Sequence, residues 1–132
     1  PEPFIALFAL ADDALARLGA KRVVADEDDA YPCRISLRRA DKGQELLLVN
    51  HVHQPVPTSP YRASGPIFVG RAAEPALYRD ELPPILKDRL LSLRAYDEDA
   101  FIVDAEVAEG DAVLDVADRF LGRSDVASIH AH

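Results

Sequence analysis

All four histidines of the chain fall in two His-x-His pairs, His51/His53 and His130/His132. On a β-strand, residues two apart project from the same face. Each pair therefore sets two imidazoles side by side. Imidazole nitrogen suits Zn2+, Ni2+, Cu2+ and non-haem iron, so a bound transition metal is one expectation. If the two strands were neighbours in register, four nitrogens would converge. The competing reading leaves both pairs at strand ends, as exposed histidines, with His132 fraying at the end of the chain.

Cys33 is the single cysteine. It follows Pro32 and precedes Arg34, a cation that favours the thiolate. Paired with His51 or His53, it would make a thiol nucleophile. Against this, Cys33 lies in an apolar strand pattern, and free cysteine is among the most buried residue types.

Arg34, Arg38, Arg39 and Arg62 are the local exception to an acidic chain. Arg62 lies in the Ser59–Pro66 loop beside Tyr61, with Ser64-Gly65 following. The planar guanidinium fork matches carboxylate or phosphate, and glycine lets backbone approach a ligand closely. Arg34, Tyr61, Arg62, Ser64 and Gly65 are thus the candidate ligand-binding set. Alternatively, Arg62 anchors its own loop through carbonyls or an acid such as Asp97. The acidic runs 26–29 and 97–99 lack calcium-loop spacing and read as solvated loops. Phosphate-binding glycine loops, dinucleotide fingerprints, nucleophile elbows and zinc-protease motifs are absent from the sequence.

These side chains need elements to hold them. The apolar run Phe4–Leu10 reads as a buried strand. A short helix follows, with Asp12 as N-cap, Ala14, Leu15 and Leu18 on one face, and Gly19 at C′. Strands are expected at Arg22–Ala25, Cys33–Leu37, Glu45–His53, Ile67–Val69 and Val126–His132, with a turn at Asp41-Lys42-Gly43. The four prolines of 54–66 read as a loop that cannot join a sheet centre. Pro83-Pro84 opens a short helix.

Leu91–Asp97 and Phe101–Val107 read as a hairpin. A three-residue loop, Glu98-Asp99-Ala100, would pair Asp97 with Phe101, Ala95 with Val103 and Leu93 with Ala105, placing Arg94 opposite Asp104. A helix from Gly110-Asp111 to Gly122 would bury Val113, Leu114, Ala117, Phe120 and Leu121.

Three segments carry a family likeness. They are Tyr31-Pro32-Cys33-Arg34-Ile35-Ser36-Leu37, then Ser59-Pro60-Tyr61-Arg62-Ala63-Ser64-Gly65-Pro66-Ile67-Phe68-Val69, then Leu93-Arg94-Ala95-Tyr96-Asp97. Together they resemble the bacterial domain-of-unknown-function family 1203, over most of the chain and in the expected order. The resemblance implies no activity, cofactor or catalytic residue. It does imply a short Asn- and Cys-containing stretch after a segment like Val126–His130, where this chain stops at His132.

Bulk properties bound the rest. At 132 residues one domain is expected. The fold class is α+β: a single domain with a largely antiparallel or mixed sheet of about six strands and two or three helices, because strands follow strands without regular helical crossovers. A net charge of −8 argues against nucleic acid and anionic lipid as partners. The apolar stretches are too short to span a bilayer, no basic region precedes the first, and a lone cysteine fits a reducing cytoplasm. The chain holds no methionine, which fits a start after a processed or disordered terminus and an end short of the full chain. The primary functional expectation is a cytoplasmic binding or interaction module for a small anionic ligand or a protein partner. The alternative is a small enzyme, metal-dependent through the histidine pairs or thiol-dependent through Cys33.

Overall fold

The computed structural model describes residues 2–71 and 73–132. The chain is α+β, as expected, but its strands number eight and form two sheets, of five and three strands, in place of one sheet of about six. It divides into two compact units: residues 1–51 with 64–77, and residues 52–63 with 78–132.

The first unit opens with helix α1 (Glu2–Ile5) and a 3-10 turn (Ala6–Ala9), where a strand was expected. A short apolar run fits a buried strand or a buried helix equally by pattern. Phe4, Leu7 and Phe8 recur at helical spacing and pack together into one cluster, which selects the helix. Helix α2 (Asp12–Arg17) follows, with Ala11 and not Asp12 at the N-cap. Asp12 instead accepts a hydrogen bond from Arg22 Nε at 3.1 Å. Gly19 ends the helix as expected, at φ +69°. The Gly19 N–H reaches the Ala16 carbonyl and the Ala20 N–H the Leu15 carbonyl, a Schellman closure that needs the left-handed residue.

The five-stranded sheet comprises β1 (Lys21–Val24), β2 (Pro32–Cys33), β3 (Arg38–Arg39), β4 (Glu45–Gln54) and β5 (Ala63–Gly70). Their order is β1-β4-β5-β2-β3. It is mixed: β1 runs antiparallel to β4, whereas β2 meets β5 in parallel at Cys33 and Phe68. The expected strand Cys33–Leu37 stops after Cys33. Leu37 returns its N–H to the Cys33 carbonyl at 3.0 Å with φ +52°, which closes a turn and aims the chain into β3. Pro66 joins β5 despite the expectation that its loop would stay outside a sheet. β2 is two residues long and pairs at Phe68, so the proline N–H missing at position 66 costs no bond to β2. Strand β4 is apolar on both faces. Leu47 and Val49 pack with Phe8, Leu15 and Val69, whereas Leu46 packs with Ala25, Cys33 and Ala40.

The second unit is built on β6 (Leu90–Tyr96), β7 (Ile102–Glu109), helix α3 (Ala112–Leu121) and β8 (Ser128–Ala131), in sheet order β7-β6-β8. Pro84–Leu86 forms one 3-10 turn where a short helix was expected.

The hairpin loop has the expected three residues, with Asp97 donating its N–H to the Phe101 carbonyl and Ala100 at φ +62°. Tyr96 faces Ile102, as that loop requires. A bulge then intervenes, and every earlier pair is shifted by one: Ala95 faces Asp104, Arg94 faces Ala105 and Leu93 faces Glu106. The expected pairs Arg94–Asp104, Ala95–Val103 and Leu93–Ala105 are therefore corrected. The shifted register sets acids opposite apolar residues. Helix α3 and the turn after it answer that cost, since Arg119 of α3 pairs with Glu106 and Arg123, beyond Gly122, pairs with Asp104.

The core of this unit joins Leu91, Leu93, Ala95 and Ala108 to Val113, Val116 and Phe120 of α3. The helix stripe is centred on Val116, not on the expected Leu114 and Leu121. Leu121 is 57% exposed, one residue before the helix ends at Gly122.

Candidate metal centre

Strand β8 is positioned by β6. Its register sets Leu93 against Ala131, Arg94 against His130, Ala95 against Ile129 and Tyr96 against Ser128. Ser92 and His132 exchange both backbone hydrogen bonds, at 2.8 and 3.0 Å. His132 is thus a sheet residue, which corrects the reading of a frayed chain end. Ile129 packs on the core with its partner Ala95. By strand alternation, His130 and His132 stand on the other face, with Ser92, Arg94 and Tyr96. The Tyr96 ring, 2% exposed, lies tilted on His130 with centroids 4.6 Å apart.

His53, in the segment of this unit that begins at Val52, completes the group. Its ring centroid is 4.9 Å from that of His132 and 6.3 Å from that of His130. One ligand nitrogen from each of the three imidazoles lies within 4.8 Å of the others. Zn–N bonds of about 2.0–2.1 Å in a tetrahedron set nitrogens about 3.4 Å apart, so modest χ rotations close the group on an ion. Among the described residues no carboxylate or thiolate belongs to it.

Two local features suit a cation. The His53 Nδ1 is buried without a hydrogen-bond partner. Buried polar atoms nearly always have a partner, so an orphan asks for water, an ion or a ligand. His130 is held below the ordinary histidine pKa, first by burial and then by its electrostatic interaction with nearby His53 and Arg94. That favours the neutral imidazole, which is the form that ligates metal.

His51 does not join the group. Its ring meets Phe4 edge-on at 6.0 Å within the first unit.

The expected ligand-binding set is divided between the units: Arg34, Ser64 and Gly65 belong to the first, Tyr61 and Arg62 to the second. Tyr61 packs edge-on against Tyr96 and Phe101. Arg62 is exposed and makes no side-chain hydrogen bond or ion pair among the described residues, so it anchors neither a carbonyl nor Asp97. Ser59 anchors this loop instead. Its buried hydroxyl donates to the Ala100 carbonyl at 2.6 Å and accepts the Tyr61 N–H at 3.1 Å. Asp97 is occupied with the N–H groups of Asp99 and Phe101. Asp26 accepts from the Tyr31 hydroxyl at the end of its own loop, and Asp28 accepts the Lys42 N–H of the 41–43 turn.

Cys33 is 4% exposed. Burial pushes its thiol up, but hydrogen bonds from the Ser36 hydroxyl and from the N–H groups of Ser36, Ile35 and Gly70 outweigh that and hold it below the ordinary value. The direction is the one expected, but neither the Arg34 charge nor a histidine is among the causes. The Gly70 N–H lies 3.3 Å from the sulfur.

Sequence reasoning missed Ser92, Arg94 and Tyr96 as neighbours of the cluster. The alternating pattern of β6 marks their face, but only the pairing with β8 shows what shares it.

Fold and site together define an α+β protein with three imidazoles gathered on one face of a small antiparallel sheet. The chain belongs to the family described as "Protein of unknown function (DUF1203)", which matches residues 30–132 and so includes His53, His130 and His132. No curated protein and no solved structure matches it. None of its described helices is long and apolar enough to cross a membrane.

Proposed function

We propose that this protein is a metal-dependent enzyme that binds one divalent transition metal ion, Zn2+ in the first instance, through His53, His130 and His132. The observation that carries the reading is the convergence of three imidazoles, one of which, His53, also keeps a buried Nδ1 without a partner. An all-nitrogen set suits zinc or copper. It lacks the carboxylate of the two-histidine iron triad and the oxygen ligands preferred by magnesium and calcium. The three imidazoles among the described residues fill three positions of a tetrahedron, and a water or substrate oxygen in the fourth would be acidified or polarised by the ion.

Titration of the protein with Zn2+ or Co2+ tests this directly. One equivalent should bind the wild type, with His53→Ala and His130→Ala each weakening it about a hundredfold. Structural zinc sites bind with roughly 10–16 kcal/mol over four ligands, or about 3 kcal/mol each, and every 1.4 kcal/mol is a factor of ten. His51→Ala should bind like the wild type. A wild type that takes up no metal, or loss of binding in His51→Ala alone, would remove the proposal.

A second reading is a binding module for a small anionic ligand or a protein partner. It rests on Arg62, whose exposed guanidinium has no partner among the described residues, beside Tyr61 at 39% exposure. A thermal-shift screen of small carboxylates and phosphates against wild type and Arg62→Ala separates it from the first. Identical profiles in the two proteins would count against this site.

A further inference from the structure

We infer that the open position of the metal centre takes a small carboxylate, with one oxygen on the ion and the other on the guanidinium of Arg94. The inference rests on the metal reading above and names the substrate class of the same site.

Arg94 is the direct cross-strand partner of His130, so both side chains rise from the same face of the sheet. It is half-buried, yet among the described residues it makes no ion pair. Five other arginines, Arg17, Arg22, Arg71, Arg119 and Arg123, each hold a carboxylate.

Charge counting then specifies the ligand. Three neutral imidazoles cancel none of a divalent ion's charge, and among the described residues no acidic side chain belongs to the group. With Arg94 beside it, the loaded centre is strongly positive in a partly buried place, where such charge needs a counter-ion. A carboxylate supplies it with matching geometry, since the planar fork takes one oxygen by a charge-assisted hydrogen bond while the ion holds the other. Ser92, facing His132 on the same strand, lies on the same side.

Anion titration of Co2+-loaded protein, followed in the visible spectrum of the cobalt, tests the inference. Acetate is the carboxylate probe. Azide is the control, since it binds metals but offers no second oxygen to Arg94. Acetate should perturb the wild-type spectrum saturably. Arg94→Gln should keep one equivalent of Co2+ but bind acetate at least about tenfold more weakly, with a smaller effect on azide. Arg94→Lys keeps the charge and loses the fork, and should also favour azide over acetate relative to the wild type; it serves if the glutamine variant does not fold. Unchanged acetate affinity in either folded variant, or equal losses for acetate and azide, overturns the shared seat while leaving the metal site standing. Failure of the wild type to bind Co2+ at all overturns the metal reading, and this inference with it.

Discussion

The ring of His53 meets the ring of His132 edge-on, with centroids 4.9 Å apart. His132 is fixed by its double hydrogen bond to Ser92, and His53 holds its Nδ1 buried without a partner. Two imidazoles so placed repel when both are protonated and cooperate when both are neutral and share an ion. Metal should therefore stabilise the fold. At a hundredfold excess over Kd the gain is about 2.7 kcal/mol, which raises Tm by several degrees. Melting with and without Zn2+ reads it, and His53→Ala should abolish the shift. An equal shift in that variant would point to adventitious binding elsewhere.

The thiol of Cys33 should be chemically quiet in the folded state in spite of its lowered pKa. Its hydrogen bonds favour thiolate, but only 4% of the residue is exposed and Gly70 and Leu46 close over it. Iodoacetamide labelling at neutral pH should proceed at the rate of opening and rise sharply in denaturant. Rapid native-state labelling would restore the nucleophile reading.

Glu45 should make the fold acid-sensitive. Arg71 donates to its carboxylate at 2.8 Å and Arg22 approaches at 3.1 Å. The Arg71 hydrogen bond is the largest cause of a carboxyl pKa held below its usual 4.5; burial opposes it and the Arg22 charge adds to it. A pKa depressed by folding stabilises above the unfolded value and loses that stabilisation as pH falls through the folded value. Urea unfolding of wild type and Glu45→Gln should thus differ at pH 7, and the gap should narrow as pH falls below the usual carboxylate range. A gap that does not change with pH would contradict the ion-pair origin.

Phe120 is fully buried beneath Leu91, Leu93 and Ala95. Phe120→Ala should cost about 3–5 kcal/mol, because lost transfer energy and an unfilled cavity add. Hydrogen exchange at the amides of β6 and β8 should accelerate in the variant. Loss of that protection would weaken Zn2+ binding too, since β8 and the residue after it, both paired to β6, carry two of the three imidazoles.

Asp104 and Glu106 test the hairpin register. Replacing Glu106 with Gln should release Arg119 yet cost under about 1 kcal/mol, since both groups are largely solvated. Combining it with Arg119→Leu should recover stability by extending the apolar face of α3. Chemical denaturation of the single and double variants measures the coupling, and strict additivity would contradict the contact.

Local pattern determined much of this protein. The β-branched and leucine-rich run Glu45–His53 could only be an apolar strand, Gly19 a left-handed helix end, and Glu98-Asp99-Ala100 a three-residue turn, because each depends on neighbours a few residues away. Membership of the family was also legible, in segments such as Ser59–Val69. Four things were decided elsewhere. Phe4–Leu10 became helical because its helical stripe found a core cluster to bury against. The hairpin slipped by one residue because α3 and the turn after it supplied Arg119 and Arg123 to the displaced acids. One sheet became two, since pairing partners are a long-range choice. The histidines showed both sides of this division. His-x-His spacing placed His130 and His132 on one face by strand alternation alone, but period two cannot say which strand stands opposite. The β6–β8 register and the approach of His53 chose three of the four and left His51 against Phe4.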